Sequence, residues 1–213
     1  MNLRRKQELC LDAIEHSVTM AAKSYARIVR HMRLPDAEQT AEAEVMVLDA
    51  WSFVDVAKRL WSVLHNTPGL EHGNAYNAFV KAGAPLVEFR HYVQHLEDET
   101  HEVASTGGPI WGSFSWGKFN AAEKTAEIRT YVPGRLAKVK GIPVMNPAGR
   151  EIHDDVDHFE MSVDGQTINI SDFARRIAAF GKRLQAASKN AATRGEGDNA
   201  ILILNLDSAD VGA

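Results

Sequence analysis

Arg90, His91 and His95 are the residues of this sequence whose types and spacing suit chemistry most directly. A guanidinium can hold a phosphate through two parallel hydrogen bonds, and an imidazole exchanges its proton near neutral pH. An arginine beside two histidines can therefore bind a phosphate ester and move protons on it. Histidines at i and i+4 can also share one metal ion, but two ligands make no stable site, and His101, Glu97 or Asp98 would have to join them. A solvated polar helix face with incidental histidines is the third reading. All three remain open on these residues alone.

The helix that must carry them has a definite inside and outside. At about 100° per residue, Leu86, Phe89, Val93 and Leu96 fall within roughly 80° of one another and define an apolar stripe. On the same wheel His91 and His95 lie about 40° apart, nearly opposite that stripe, with Arg90 on the flank. Both rings are expected at solvent or against a second subunit.

The run Arg90-His91-Tyr92-Val93-Gln94-His95 resembles the R-x4-H signature of the HEPN superfamily (higher eukaryotes and prokaryotes nucleotide-binding domains). In that signature a polar residue follows the arginine, often asparagine but sometimes histidine or aspartate, and His91 holds that place here. The likeness is specific around the motif and its acidic follower Leu96-Glu97-Asp98-Glu99, and architectural over Leu3–Leu184. It implies a helical bundle that pairs with its own copy, so that two motifs share one cleft. Catalytic members are metal-independent ribonucleases, often toxins or defence effectors; others bind nucleotides or have lost activity. Carried over, His95 is the principal acid or base, Arg90 stabilises the charged phosphate, and His91 orients substrate or Arg90. The resemblance calls for no cofactor or metal. It allows RNA or a nucleotide as ligand, an antitoxin protein as partner, and a non-catalytic nucleotide-binding or interaction module as the alternative.

Other residues invite functional readings that their settings do not favour. Trp111 and Trp116 flank a strand-like run and can stack on bases, although aromatic residues of a small sheet more often form its core. His153-Asp154-Asp155-Val156-Asp157-His158 lacks a recognised ligand spacing and reads as a polar loop before a hairpin. Cys10, the only cysteine, excludes an internal disulfide and sits among apolar neighbours as a core residue. No glycine-rich phosphate loop or G-x-S-x-G nucleophile motif occurs.

The elements that position these residues follow from periodicity. Apolar side chains recur at helical spacing from Leu3 to Met32, and Leu34-Pro35 ends that helix. Asp36 with Gln39 suggests a capping box for a second helix carrying Val45, Leu48, Val56, Leu60 and Val63. A third helical region starts near Ala75, is kinked or restarted at Gly83 and Pro85, and runs to about Glu99. After Gly107-Gly108 the period becomes alternating: Ile110–Trp116 and Ala126–Val132 read as strands. Phe159–Val163 and Thr167–Ile170 read as a hairpin turning at Asp164-Gly165. Ser171 then caps a helix with Phe173, Ile177, Phe180 and Leu184.

The expected fold class is mainly α (α+β): an up-down four-helix bundle, with a small antiparallel β element inserted between the third and last helices. The expected domain is single over 1–186, with the β element at 109–170, followed by a mobile linker and tail over 187–213. Ile201–Leu206 in that tail reads as a strand or a docked segment. With 45% hydrophobic and 24% charged residues the chain is not expected to be disordered. Its net charge of −4 argues against a general duplex-coating protein while leaving a local phosphate site possible. No apolar run approaches the roughly 20 residues of a membrane span, and the charged N-terminus lacks a secretory signal, so a cytosolic protein is expected; that it is a homodimer is what the resemblance implies.

Overall fold

A computed structural model of the chain describes residues 2–95, 109–134 and 144–207, without the side chains of Val93 and Gln94. Its contacts divide it into two compact units, one formed by Met1–Ala22, Asp55–Ala84 and Phe173–Ala213, the other by Lys23–Val54 and Pro85–Asp172. The helices are α1 (Leu3–Met32), α2 (Asp36–Ala41), α3 (Ala43–Leu64), α4 (Asn74–Ala82), α5 (Pro85–Gln94) and α6 (Ile170–Lys189). The strands are β1 (Ser113–Asn120), β2 (Thr125–Tyr131), β3 (Val156–Val163), β4 (Gln166–Asn169), β5 (Ala192–Arg194) and β6 (Ile201–Ile203). No helix among the described residues is long and apolar enough to cross a membrane.

The first unit is mostly helical. Ile14 and Ala21 of α1, Ala57, Leu60 and Leu64 of α3, and Ile177 and Leu184 of α6 are buried. Phe79 of α4 stacks near Phe173 and Phe180 of α6, with ring centroids 5.6 and 4.6 Å away. The stretch expected as a mobile tail carries the β5–β6 hairpin, and Leu204 beyond it forms a parallel bridge with Leu70. Gln7 of α1 fixes this arrangement: its Nε2 donates to the carbonyls of Pro68 and Leu202, and its Oε1 accepts from Leu202 N–H.

The second unit overturns the expected four-helix bundle. Its strands pair into one four-stranded antiparallel sheet of order β2-β1-β3-β4, and every residue of β3 is buried. Phe114, Trp116, Phe159 and Met161 supply fully or almost fully buried side chains. A sheet that contributes core in this way is a structural layer, not an ornament on helices. The protein is therefore α+β. The third helical region is also shorter than a bundle helix: it restarts at Pro85 as the ten-residue α5. The part predicted beyond His95 lies outside the described residues.

Two predicted caps are replaced. Asp36 is the first residue of α2, and no side chain caps that helix. Gln39 does not close a capping box, because its Nε2 donates to Met32 O and its Oε1 accepts from Arg129. At α6 the Asn169 side chain accepts from Asp172 N–H. Ser171 Oγ instead accepts from Phe159 N–H on β3. The Asp164-Gly165 turn joins β3 to β4 with positive φ at both residues, 45° and 71°, as a tight hairpin turn requires.

Candidate functional site

Helix α5 presents two faces, as its wheel requires. Leu86, Phe89 and Tyr92 are buried, and the Tyr92 hydroxyl donates to Ile110 O at 2.8 Å. Phe89 lies beside Trp51 of α3, with centroids 6.3 Å apart. His91 and His95 are exposed, and Arg90 between the two faces is half-buried. His95 N–H closes the last turn on His91 O at 3.0 Å, which brings the imidazoles together. Their centroids are 4.4 Å apart, with the planes inclined at 45°. A shallow cleft of about 100 Å³ runs from His91 and Glu88 to Asp164 and Gln166 of the β3–β4 hairpin.

Arg90, His91 and His95 thus stay on one short element, and the sequence-level placement of both rings away from the apolar stripe agrees with their exposure. Leu96, Glu97, Asp98 and His101, which the stripe and the metal reading invoked, lie outside the described residues. Among the described residues no group of three or more His, Cys, Asp or Glu is arranged to hold a metal ion.

The remaining sequence candidates separate. Trp116 is buried, 6.2 Å from Phe159 by ring centroids, and serves the sheet core, while Trp111 is exposed. The stretch His153–His158 is only partly a loop, because Val156, Asp157 and His158 are buried residues of β3. Asp155 and Asp154 meet Arg33, the residue just after α1, there, and the guanidinium holds the Asp155 carboxyl below its ordinary range.

Two polar arrangements have no sequence motif. Arg129 of β2 donates through Nε and Nη2 to Glu127, and through Nη1 to Asp36 and Gln39 of α2. Near it, burial pushes His31 below the usual histidine range, against the opposing pull of Glu42 and Asp49.

The second arrangement is the other face of the sheet. Ser113, Ser115, Asp157, His158, Glu160 and Ser162 are all buried. Glu160 pairs with Arg150, Ser162 shares a hydrogen bond with Thr167, and Asp157 accepts from the N–H groups of His153 and His158. A bulge in β3 opposite Ser115–Gly117 places His158 at a φ of 56°. Its ring lies edge-on to Phe119, and among the described residues neither ring nitrogen has a partner. Alternation in β1 and β3 is the one trace of this face in the sequence; it could have suggested a polar side but not its burial.

Comparison of the chain with protein-family models, with curated proteins and with solved structures gives no match.

Proposed function

We propose that the chain is a metal-independent RNA endonuclease whose chemistry is carried by Arg90 and His91 of α5 and by His95 directly after it, with a second copy supplying the complementary set. The observation that carries this reading is the pair of exposed imidazoles, centroids 4.4 Å apart, beside a half-buried arginine on a helix anchored by Phe89 and Tyr92. RNA brings its own nucleophile. A histidine takes the proton of the ribose 2′-hydroxyl as that oxygen attacks phosphorus. The bond to the 5′-oxygen breaks, and a second imidazole protonates the leaving oxygen, giving a 2′,3′-cyclic phosphate and a 5′-hydroxyl. Arg90 neutralises the charge that grows on the phosphorane. His95 is the principal proton carrier and His91 orients the phosphate or Arg90.

The test is cleavage of RNA in EDTA by wild type, Arg90→Ala and His95→Ala. Each substitution is expected to lower the rate by about 100-fold or more, the scale of one proton-transfer or charge-stabilising group. Equal cleavage by all three proteins would assign the activity to a contaminant.

A non-catalytic nucleotide-binding or interaction module is the second reading, and the sheet favours it. Packed beside β4 and not within a bundle, α5 lacks the setting that the motif's dimeric cleft implies. This reading expects intact RNA together with a nucleotide or protein that co-purifies.

A further inference from the structure

Strand β2 is one edge of the four-stranded sheet: among the described residues it pairs with β1 alone. That pairing is regular from Phe114 with Tyr131 to Asn120 with Thr125, without a bulge. The outer row of backbone N–H and C=O groups is therefore a template for a further strand. Folded proteins usually guard such an edge with a lysine, a proline or a bulge in the strand itself. Residues Thr125–Tyr131 contain neither lysine nor proline, and Lys124 and Pro133 fall just outside them. On one side of the strand Ala126 and Thr130 are small and exposed, with Ile128 half-buried between them. The opposite edge strand, β4, differs, because α5 packs on it.

The charges that β2 does carry say which strand fits. Turned end for end about Ile128, the strand places Glu127 opposite Arg129 of a second copy, and Arg129 opposite Glu127. Ala126 then faces Thr130, and Ile128 faces its own copy. A slip of two residues, the smallest that keeps matching faces of the two sheets together, sets Glu127 against Glu127 or Arg129 against Arg129. Opposite charges across a strand pair stabilise it and like charges oppose it, so the centred register is favoured over its neighbours. Strand β1 extends the pattern, since Lys118 lies opposite Glu127. Within one copy Arg129 bonds to Glu127 and Asp36, whose side chains are still 57% and 81% exposed and keep a flank open to a second guanidinium. Ile128 has only Gly117 opposite it on β1, and a second Ile128 gives it a side-chain neighbour across the strand.

We propose that β2 is a self-association edge, at which two copies of the chain join antiparallel about Ile128 and fuse their sheets into one. Backbone hydrogen bonds supply the affinity, and the crossed Glu127 and Arg129 pairs set the register. With α5 on β4, at the other edge of the sheet, this contact is separate from the shared cleft of the α5 reading and goes beyond it.

Sedimentation equilibrium of the full chain over a concentration series tests the edge with exposed positions only. Ala126→Lys/Thr130→Lys sets lysine against lysine twice at the junction, and Ala126→Glu/Thr130→Glu does the same with carboxylates. Wild type is expected to associate, and each double variant to weaken this contact about tenfold or more. Mixing the two variants sets lysine against glutamate and is expected to restore association. If α5 also recruits a copy, wild type exceeds a dimer and each variant halves its mass. Cys10→Ser/Ile128→Cys checks the register separately. Only at the axis does a residue face its own copy, within the reach of a disulfide, so oxidised glutathione should cross-link this variant and not Cys10→Ser/Ala126→Cys. Wild type that stays a single chain up to about 1 mM overturns the proposal and leaves the edge to another segment or protein. An assembly whose mass neither variant changes, or a mixture no tighter than its parts, overturns it as well. No substitution touches α5 and no RNA cleavage is read, so this failure and that of the α5 proposal are separate results.

Discussion

The polar face of α5 and the polar face of β3 carry similar side chains in opposite settings. On α5, His91 and His95 stand in solvent and the apolar half of the helix is buried. On β3, Asp157, His158 and Glu160 are buried; Asp157 and Glu160 have partners inside the protein, whereas the described residues offer none to either ring nitrogen of His158. Water satisfies an exposed imidazole for nothing, whereas an interior one needs a designed neighbour. Groups that act on a substrate are most available in the first setting, and groups whose loss threatens the fold are concentrated in the second.

The sharpest way to break that contrast is to remove one member of the Arg150–Glu160 pair. The Glu160 side chain is 9% exposed and that of Arg150 33%, so Arg150→Met leaves a buried carboxylate without its cation. Urea unfolding should show a loss of about 3 kcal/mol. The double variant Arg150→Met/Glu160→Met should recover most of it, since neither charge then remains to be solvated. A single-variant loss below about 1 kcal/mol would mean that water reaches Glu160, and the distinction between the faces would fail.

A smaller effect isolates the backbone of the same strand. His158 holds a φ of 56° inside β3, whereas the other described non-glycine residues with positive φ, Lys124 and Asp164, occupy turns. The left-handed region costs an L-residue about 1 kcal/mol or more, and glycine is exempt. Replacing His158 by Ala and by Gly removes the same imidazole and its contact with Phe119. The glycine variant should then be more stable than the alanine variant by about 1 kcal/mol in thermal unfolding. An alanine variant equal to or better than glycine would place the strain elsewhere.

These particulars show what the chain reveals unaided. Leu3–Met32 reads as a helix and forms one over those residues, because thirty residues of period 3.6 outweigh any local exception. The hairpin at Asp164-Gly165 is legible for the same reason, since its turn demands residues that tolerate positive φ. The weight of the sheet is not legible. Whether four alternating runs decorate a bundle or build their own layer depends on pairing between residues far apart, such as Phe114 with Met161, and no local period encodes it. The caps misled in a related way: Gln39 and Ser171 have the right types for helix termini, but Arg129 and Phe159 offered them long-range partners.

The smallest expected change in stability is the most informative about function. His91→Ala/His95→Ala removes two exposed rings from the end of α5 and touches neither Phe89 nor Tyr92, which anchor that helix. Surface substitutions of this kind usually stay within about 0.5 kcal/mol, so the unfolding curve should overlay that of wild type. The imidazoles do contact each other, but a pair open to water contributes little, and alanine's higher helix propensity offsets part of its loss. If RNA cleavage in EDTA disappears while stability holds, the rings are kept for chemistry and not for the fold. A loss of more than about 1 kcal/mol would instead make them structural, and α5 would join β3 on the same side of the comparison.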